Sequence, residues 1–114
     1  MTERKPCAGW IGNVINSGYK GWRDDQKAPI ASHELDVDGF HRCHVCSLRN
    51  GRHQWSVFVK GDYDDTTIAS GGVEGAESLE AAQLACEDAL RALLTSALAE
   101  LGPATAVAPA KEET

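Results

Sequence analysis

The chain has 114 residues, of which 42% are hydrophobic and 25% charged, and its formal net charge is −6. This composition is typical of one soluble domain and leaves no room for a second. The charge is divided unevenly: residues 1–61 carry nine Lys and Arg against six Asp and Glu, and residues 62–114 carry two against eleven. An acidic second half repels phosphate, which argues against nucleic-acid binding.

The sequence predicts a cytoplasmic protein that does not enter membranes. No apolar run reaches the roughly 18 residues of a membrane span, and the first six residues lack the apolar stretch of a signal peptide. In a reducing compartment, cysteines are free thiols or metal ligands rather than disulfides. We expect this of Cys7, Cys43, Cys46 and Cys86.

Residues 1–30 combine many glycines and prolines with large apolar side chains. This mixture predicts a loop-rich N-terminal arm with one short strand near residues 10–15. Trp22 is expected to cover an edge of the core.

The clearest turn signal is the pair Asn50-Gly51, which lies between two β-rich runs at residues 40–48 and 53–60. Asn-Gly tolerates the positive φ angles of a type I′ turn, so these runs form a predicted hairpin with a two-residue loop. That loop pairs Cys46 with Trp55 on the core face of the sheet.

The hydrophobic period changes from two to 3.6 at Ser78, and an apolar stripe then continues from Leu79 to Leu101 before Gly102 ends it. Ser78 is the predicted N-cap, and Gln83 and Glu87 fall on the polar side of the stripe.

These elements predict the α+β class: an antiparallel sheet of three or four strands with one long C-terminal helix packed on one face. The single domain is expected to span residues 31–102. The Ala- and Pro-rich tail at residues 103–114 is predicted to be disordered.

The predicted helix is about 35 Å long, whereas strands of seven or eight residues reach only about 25 Å. Leu94, Leu98 and Leu101 are therefore expected to extend beyond the sheet. Either apolar residues of the arm cover them, or they bind another protein or a second copy in a symmetric dimer.

The hairpin also carries Arg49, Arg52 and His53, which are candidate partner-binding residues. The alternative is an ordinary solvated turn.

Cys43-x2-Cys46 is half of a structural zinc motif. The other half is missing, and a regular strand sends these two thiols to opposite faces. We therefore expect no cofactor, with a zinc ion at Cys43 and Cys46 as the alternative. No catalytic motif is present, so an enzyme is not expected.

Three short motifs resemble a group of small phage and prophage proteins: Trp55-Ser56-Val57, Ala69-Ser70-Gly71 and Ser78-Leu79-Glu80-Ala81-Ala82. This resemblance implies a phage-encoded, non-catalytic protein-binding module in the host cytoplasm, of a kind that includes inhibitors of host defence enzymes. Three strands followed by a helix also superficially resemble the second half of a double-stranded-RNA-binding domain. That family has lysines where this chain has Glu77 and Glu80.

Overall fold

A computed structural model describes residues 4–16 and 21–102 of the chain; the predicted tail at residues 103–114 lies outside them. The elements in chain order are β1 (Ile11–Val14), a 3₁₀ turn (Trp22–Asp24), β2 (Pro29–Asp36), β3 (His41–Leu48), β4 (His53–Val59), β5 (Thr66–Val73) and α1 (Leu79–Leu101).

The predicted α+β class, with one long C-terminal helix, is confirmed. The strands form one antiparallel sheet in the order β1-β2-β3-β4-β5, so each strand pairs with its neighbours in sequence. The sheet has five strands rather than three or four, because the predicted arm contributes β1 to its edge.

The predicted register of the β3–β4 hairpin was wrong by one residue. The Gly51 N–H donates to Leu48 O at 3.0 Å, and the Leu48 N–H donates to Arg52 O at 2.8 Å, so the loop has three residues. Gly51 lies at φ +93°, which is the left-handed position that follows a type I turn in such loops.

The shift exchanges the two faces of β3, while Trp55 of β4 stays on the core side of the sheet. Cys43 pairs with Val57 and Cys46 pairs with Gln54. Cys43 therefore lies in the core and Cys46 on the opposite face, the reverse of the prediction.

The helix α1 packs across β3, β4 and β5. Beneath it lies a cluster of buried side chains: Leu35, Cys43, Val57, Cys86 and Leu90. Trp10 packs against the same cluster, which connects the N-terminal segment to the core.

The glycine pair Gly71-Gly72 lies inside β5. Gly71 pairs with Trp55. A Cβ atom at Gly71 would lie 2.5 Å from the Trp55 ring, so glycine is required for the indole to lie across the strand.

The helix begins and ends where the sequence predicted, and Ser78 occupies the predicted N-cap position, but its side chain makes no capping hydrogen bond. The Ser78 hydroxyl donates to Glu74 O at 2.8 Å instead of accepting from a helix N–H. At the other end, Gly102 lies at φ +79°, and its N–H donates to Leu98 O and Ala99 O. Within residues 4–16 and 21–102, no helix has the length and apolar character needed to cross a membrane.

Candidate functional site

The second half of α1 extends beyond the sheet, as the helix length predicted. Leu90 is 4% exposed, whereas Leu94, Leu98 and Leu101 are 40%, 65% and 82% exposed. Every residue from 91 to 101 is exposed. We call this segment of the helix the overhang.

An apolar groove lies where the overhang leaves the sheet. It is a cavity of about 320 Å³ between α1 and the end of β2. Its apolar lining consists of Leu35, Val37, Cys43, Leu90 and Leu94, and Cys7, Asp36, Glu87 and Arg91 add polar groups. Because Leu94 belongs to both features, the groove and the overhang form one continuous surface.

One side of the groove is formed by Glu87, whose carboxylate is buried. The sequence pattern had placed this residue on the polar side of the helix. Its Oε2 accepts the Cys7 N–H at 2.8 Å and the Trp10 Nε1–H at 2.7 Å. Arg91 lies at 3.4 Å from the other oxygen, Oε1. The carboxylate is therefore satisfied by hydrogen bonds, as a buried charge must be.

A second acidic residue connects the N-terminal segment to the same turn of the helix. Asp88 accepts two hydrogen bonds from Arg4, at 2.7 and 3.0 Å, and one from Arg91 at 3.0 Å. The hydrogen bond from Arg4 is the main reason that the pKa of Asp88 is lowered. Residues 4–10 thus lie along the helix and fix it beside the groove. We call residues 4–10 the strap.

The strap does not cover the predicted leucines. Trp10 reaches the helix at Glu87, which is one turn before the exposed segment begins. Trp22 hydrogen-bonds Pro29 O at 3.3 Å near the start of β2. Leu98 and Leu101 therefore remain open in the part of the chain that the structure describes.

The three predicted basic residues of the hairpin are engaged within the molecule. Arg49 donates to Trp22 O and Asp25 O, both at 3.2 Å, and its guanidinium lies 4.8 Å from the centre of the Trp22 ring. Arg52 forms an ion pair with Glu74.

His53 is buried, with 6% of its surface exposed, so its side chain is not part of a binding surface. Its Nε2 lies 3.4 Å from Ala76 O, and its Nδ1 lies 2.7 Å from the Ser47 hydroxyl. Since a carbonyl only accepts, a proton on Nε2 allows the ring to donate to Ala76 O and to accept from the Ser47 hydroxyl at Nδ1.

The thiols of the Cys-x2-Cys motif are separated by the sheet. Cys43 faces the helix and hydrogen-bonds Cys86; this contact and burial raise the pKa of Cys43. The Cys86 thiol donates to Ser56 O at 3.1 Å. Cys46 lies on the other face, where burial raises its pKa.

No cluster of three or more His, Cys, Asp or Glu able to hold a metal occurs in residues 4–16 and 21–102. The alternative of a zinc ion at Cys43 and Cys46 stays a prediction. The described residues offer no set of three or more ligands for it.

The sequence reasoning found the leucines of the overhang but missed the groove beside them. The missed residues are Glu87, Arg91, Leu35 and Val37. Glu87 and Arg91 are four residues apart, which indicates a helical ion pair, but no pattern in the sequence shows that Trp10 completes it.

Comparison of the chain with protein-family models, with curated proteins and with solved structures found no match.

Proposed function

We propose that this chain is a non-catalytic protein-binding module and that its binding surface is the groove together with the overhang. The observation that carries the proposal is the row of leucines on a helix that has left its sheet. Three leucines between 40% and 82% exposed follow a fully buried one on the same stripe. Contiguous apolar surface of this kind marks interaction sites in soluble proteins.

The chemistry of the surface supports binding rather than catalysis. The lining of the groove is mainly apolar, and its carboxylate, Glu87, is held by Cys7, Trp10 and Arg91. A concave apolar pocket with a polar rim fits one large apolar side chain of a partner, which is the usual form of a binding hot spot. The exposed leucines then extend the contact along the helix.

The sequence resemblance extends this proposal to a phage- or prophage-encoded protein that occupies the surface of a host protein, such as a defence enzyme, and inhibits it. The support for this extension is the set of short motifs around Trp55, Ala69 and Ser78. A captured partner would test the extension directly, because the purified complex can be assayed for loss of the partner's activity.

Capture from the native host followed by mass spectrometry tests the proposal. We expect Leu98→Glu to abolish capture of the partner, because a carboxylate on the overhang must be desolvated on binding. Tyr63→Glu is the matched control: Tyr63 is 97% exposed, and it lies in the β4–β5 loop. Equal recovery of the same proteins by the wild type and by Leu98→Glu would contradict the proposal.

A further inference from the structure

Three of the four cysteines meet at the groove and in the core directly beneath it. Cys7, on the strap, and Cys43, on β3, both line the groove. Cys86, on α1, belongs with Cys43 to the buried cluster under the helix. Cys7 is exposed, whereas Cys43 and Cys86 are fully buried. The three thiols therefore form a series that begins at solvent and ends in the core.

The Cys86 side chain reaches the sheet at the position of Cys43. Its Sγ donates to Ser56 O at 3.1 Å and lies 4.0 Å from His44 O. His44 follows Cys43 in β3 and pairs with Ser56 of β4. The Cys86 sulfur therefore lies against the same part of the sheet as the Cys43 side chain, and the two thiols are hydrogen-bonded to each other. Two thiols in direct contact between a helix and a strand are the starting arrangement for a disulfide.

The strap holds an exposed thiol beside this buried pair. The Cys7 N–H donates to Glu87 Oε2 at 2.8 Å, and Glu87 is the residue that follows Cys86 in α1. A thiol that is held in place reacts with a neighbouring thiol as an intramolecular group, whereas a reagent such as maleimide must enter from solvent. Cys46 lies on the other face of the sheet and takes no part in the series.

We propose that Cys7, Cys43 and Cys86 form a thiol relay through which a low-molecular-weight disulfide, such as oxidised glutathione, converts Cys43 and Cys86 into a disulfide that joins β3 to α1. The relay is independent of the proposed function, because no protein partner takes part in it. In a reducing compartment the two core cysteines stay thiols, and the disulfide forms only when oxidised glutathione accumulates.

The relay consists of three thiol–disulfide exchanges. The Cys7 thiolate attacks one sulfur of oxidised glutathione, forms a mixed disulfide and releases the first reduced glutathione. Cys43 gives up its proton, attacks the Cys7 sulfur and displaces the second reduced glutathione. Cys86 then attacks the Cys43 sulfur, and Cys7 leaves as a thiolate. In total, two protein thiols each lose one proton and one electron, and one oxidised glutathione becomes two reduced molecules.

Treatment of the full chain with oxidised glutathione at pH 8 tests the proposal, because more thiolate is present there than at pH 7. Mass spectrometry of a non-reduced digest is expected to show a disulfide between Cys43 and Cys86. Denaturant unfolding of the oxidised protein should have a higher midpoint than that of the reduced protein, since the new bond restricts the unfolded chain. Dithiothreitol should restore the original midpoint.

Three variants separate the steps of the relay. Cys7→Ser removes the entry thiol and is expected to slow formation of the core disulfide by about tenfold or more. Cys86→Ser should stop the relay at a disulfide between Cys7 and Cys43. Cys46→Ser is the matched control on β3 and should behave as the wild type. Because trypsin leaves Cys43 and Cys46 on one peptide, this control also assigns the bond to Cys43.

Circular dichroism must first show that Cys86→Ser is folded, because it changes a core residue. If it is not folded, the wild type, Cys7→Ser and Cys46→Ser still decide the matter, since all three keep the core pair. A wild type that stays reduced, or that stops at glutathione on Cys7, would overturn the relay. A core disulfide that forms in Cys7→Ser at the wild-type rate would overturn it as well, because oxidation would then reach the core without Cys7.

Discussion

The indole of Trp10 donates its Nε1–H to the buried carboxylate of Glu87 at 2.7 Å, across 77 positions of sequence. This hydrogen bond joins the N-terminal segment to the helix beside the groove. The Cys7 N–H completes the arrangement at 2.8 Å from the same oxygen. Oε2 of the carboxylate is thus held by groups that come from outside its own helix, and the position of the helix depends on them.

We expect Trp10→Phe to lower the free energy of unfolding by about 1 to 3 kcal/mol, because it removes one donor from a buried charge and keeps most of the ring. Denaturant unfolding measures this loss. The control is Trp22→Phe, since the Trp22 indole makes a longer bond of 3.3 Å to a backbone carbonyl. A loss in Trp22→Phe as large as that in Trp10→Phe would show that the hydrogen bond to Glu87 has no special role.

Two leucines on one helix stripe are expected to respond differently to the same substitution. Leu90→Ala leaves a cavity in the core and should cost about 2 to 5 kcal/mol. Leu98→Ala removes an exposed side chain and should change the stability of the monomer by less than about 0.5 kcal/mol.

Chemical unfolding at a concentration too low for self-association compares these two variants. Similar losses in both would mean that the overhang packs against the body of the protein.

Acid is expected to destabilise the protein before its carboxylates titrate. Burial lowers the pKa of His33 and of His44 below the ordinary 6.5. The folded state therefore resists protonation of both rings. Their contribution to stability is complete above pH 6.5 and is lost as the pH falls through the lower folded-state values.

The free energy of unfolding should thus decrease between about pH 7.5 and pH 5.5. A His33→Gln/His44→Gln double variant should show a flatter dependence over the same interval. Equal slopes in the double variant and the wild type would assign the acid sensitivity to other groups.

The four thiols are expected to react with maleimide in an order set by exposure. Cys7 is exposed and should be modified first, although partial desolvation and the nearby Glu87 carboxylate raise its pKa. Cys46 is half-buried and should follow. Cys43 and Cys86 are buried and should react only when the helix opens.

Peptide mapping by mass spectrometry after timed labelling measures this order. Cys7→Ser should remove the fast phase and leave the other rates unchanged. Early modification of Cys86 in the folded protein would contradict the packing of α1 on the sheet.

The bounds of α1, which local sequence determines, were predicted correctly. The bounds of α1 follow from a change of hydrophobic period at Ser78 and from a glycine at position 102, and both signals lie within the helix or next to it. The length of the overhang follows from comparing the length of this helix with the shorter length of the strands. Exposure of Leu98 and Leu101 could therefore be predicted without knowing any long-range contact.

The register of the hairpin could not be predicted because two loop lengths fit the same residues. Asn50-Gly51 suits a two-residue turn, and Arg49-Asn50-Gly51 suits a three-residue loop with glycine in the left-handed position. The bonds of Arg49 to Trp22 O and Asp25 O are compatible with the longer loop. Neither contact partner lies near Arg49 in sequence.

The groove was missed for a similar reason. Glu87 forms one side of the groove. Its carboxylate is buried because Cys7 and Trp10, near the other end of the chain, donate hydrogen bonds to it. A helical wheel shows Glu87 beside polar residues and gives no sign of a distant indole. Of the three basic hairpin residues, Arg49 and Arg52 were likewise engaged by partners outside the hairpin, and His53 by Ser47 within it and by Ala76 outside it.

The order of the strands has a consequence for the folding pathway. Each strand of the sheet pairs with its neighbour in sequence, so from β2 onward the sheet is able to grow one hairpin at a time with short loops to close. Attachment of the strap to α1 instead joins residues that are 77 to 84 positions apart. Chain entropy makes such contacts slow to form. We therefore expect the contacts between the strap and α1 to form last during refolding and to break first as denaturant is added.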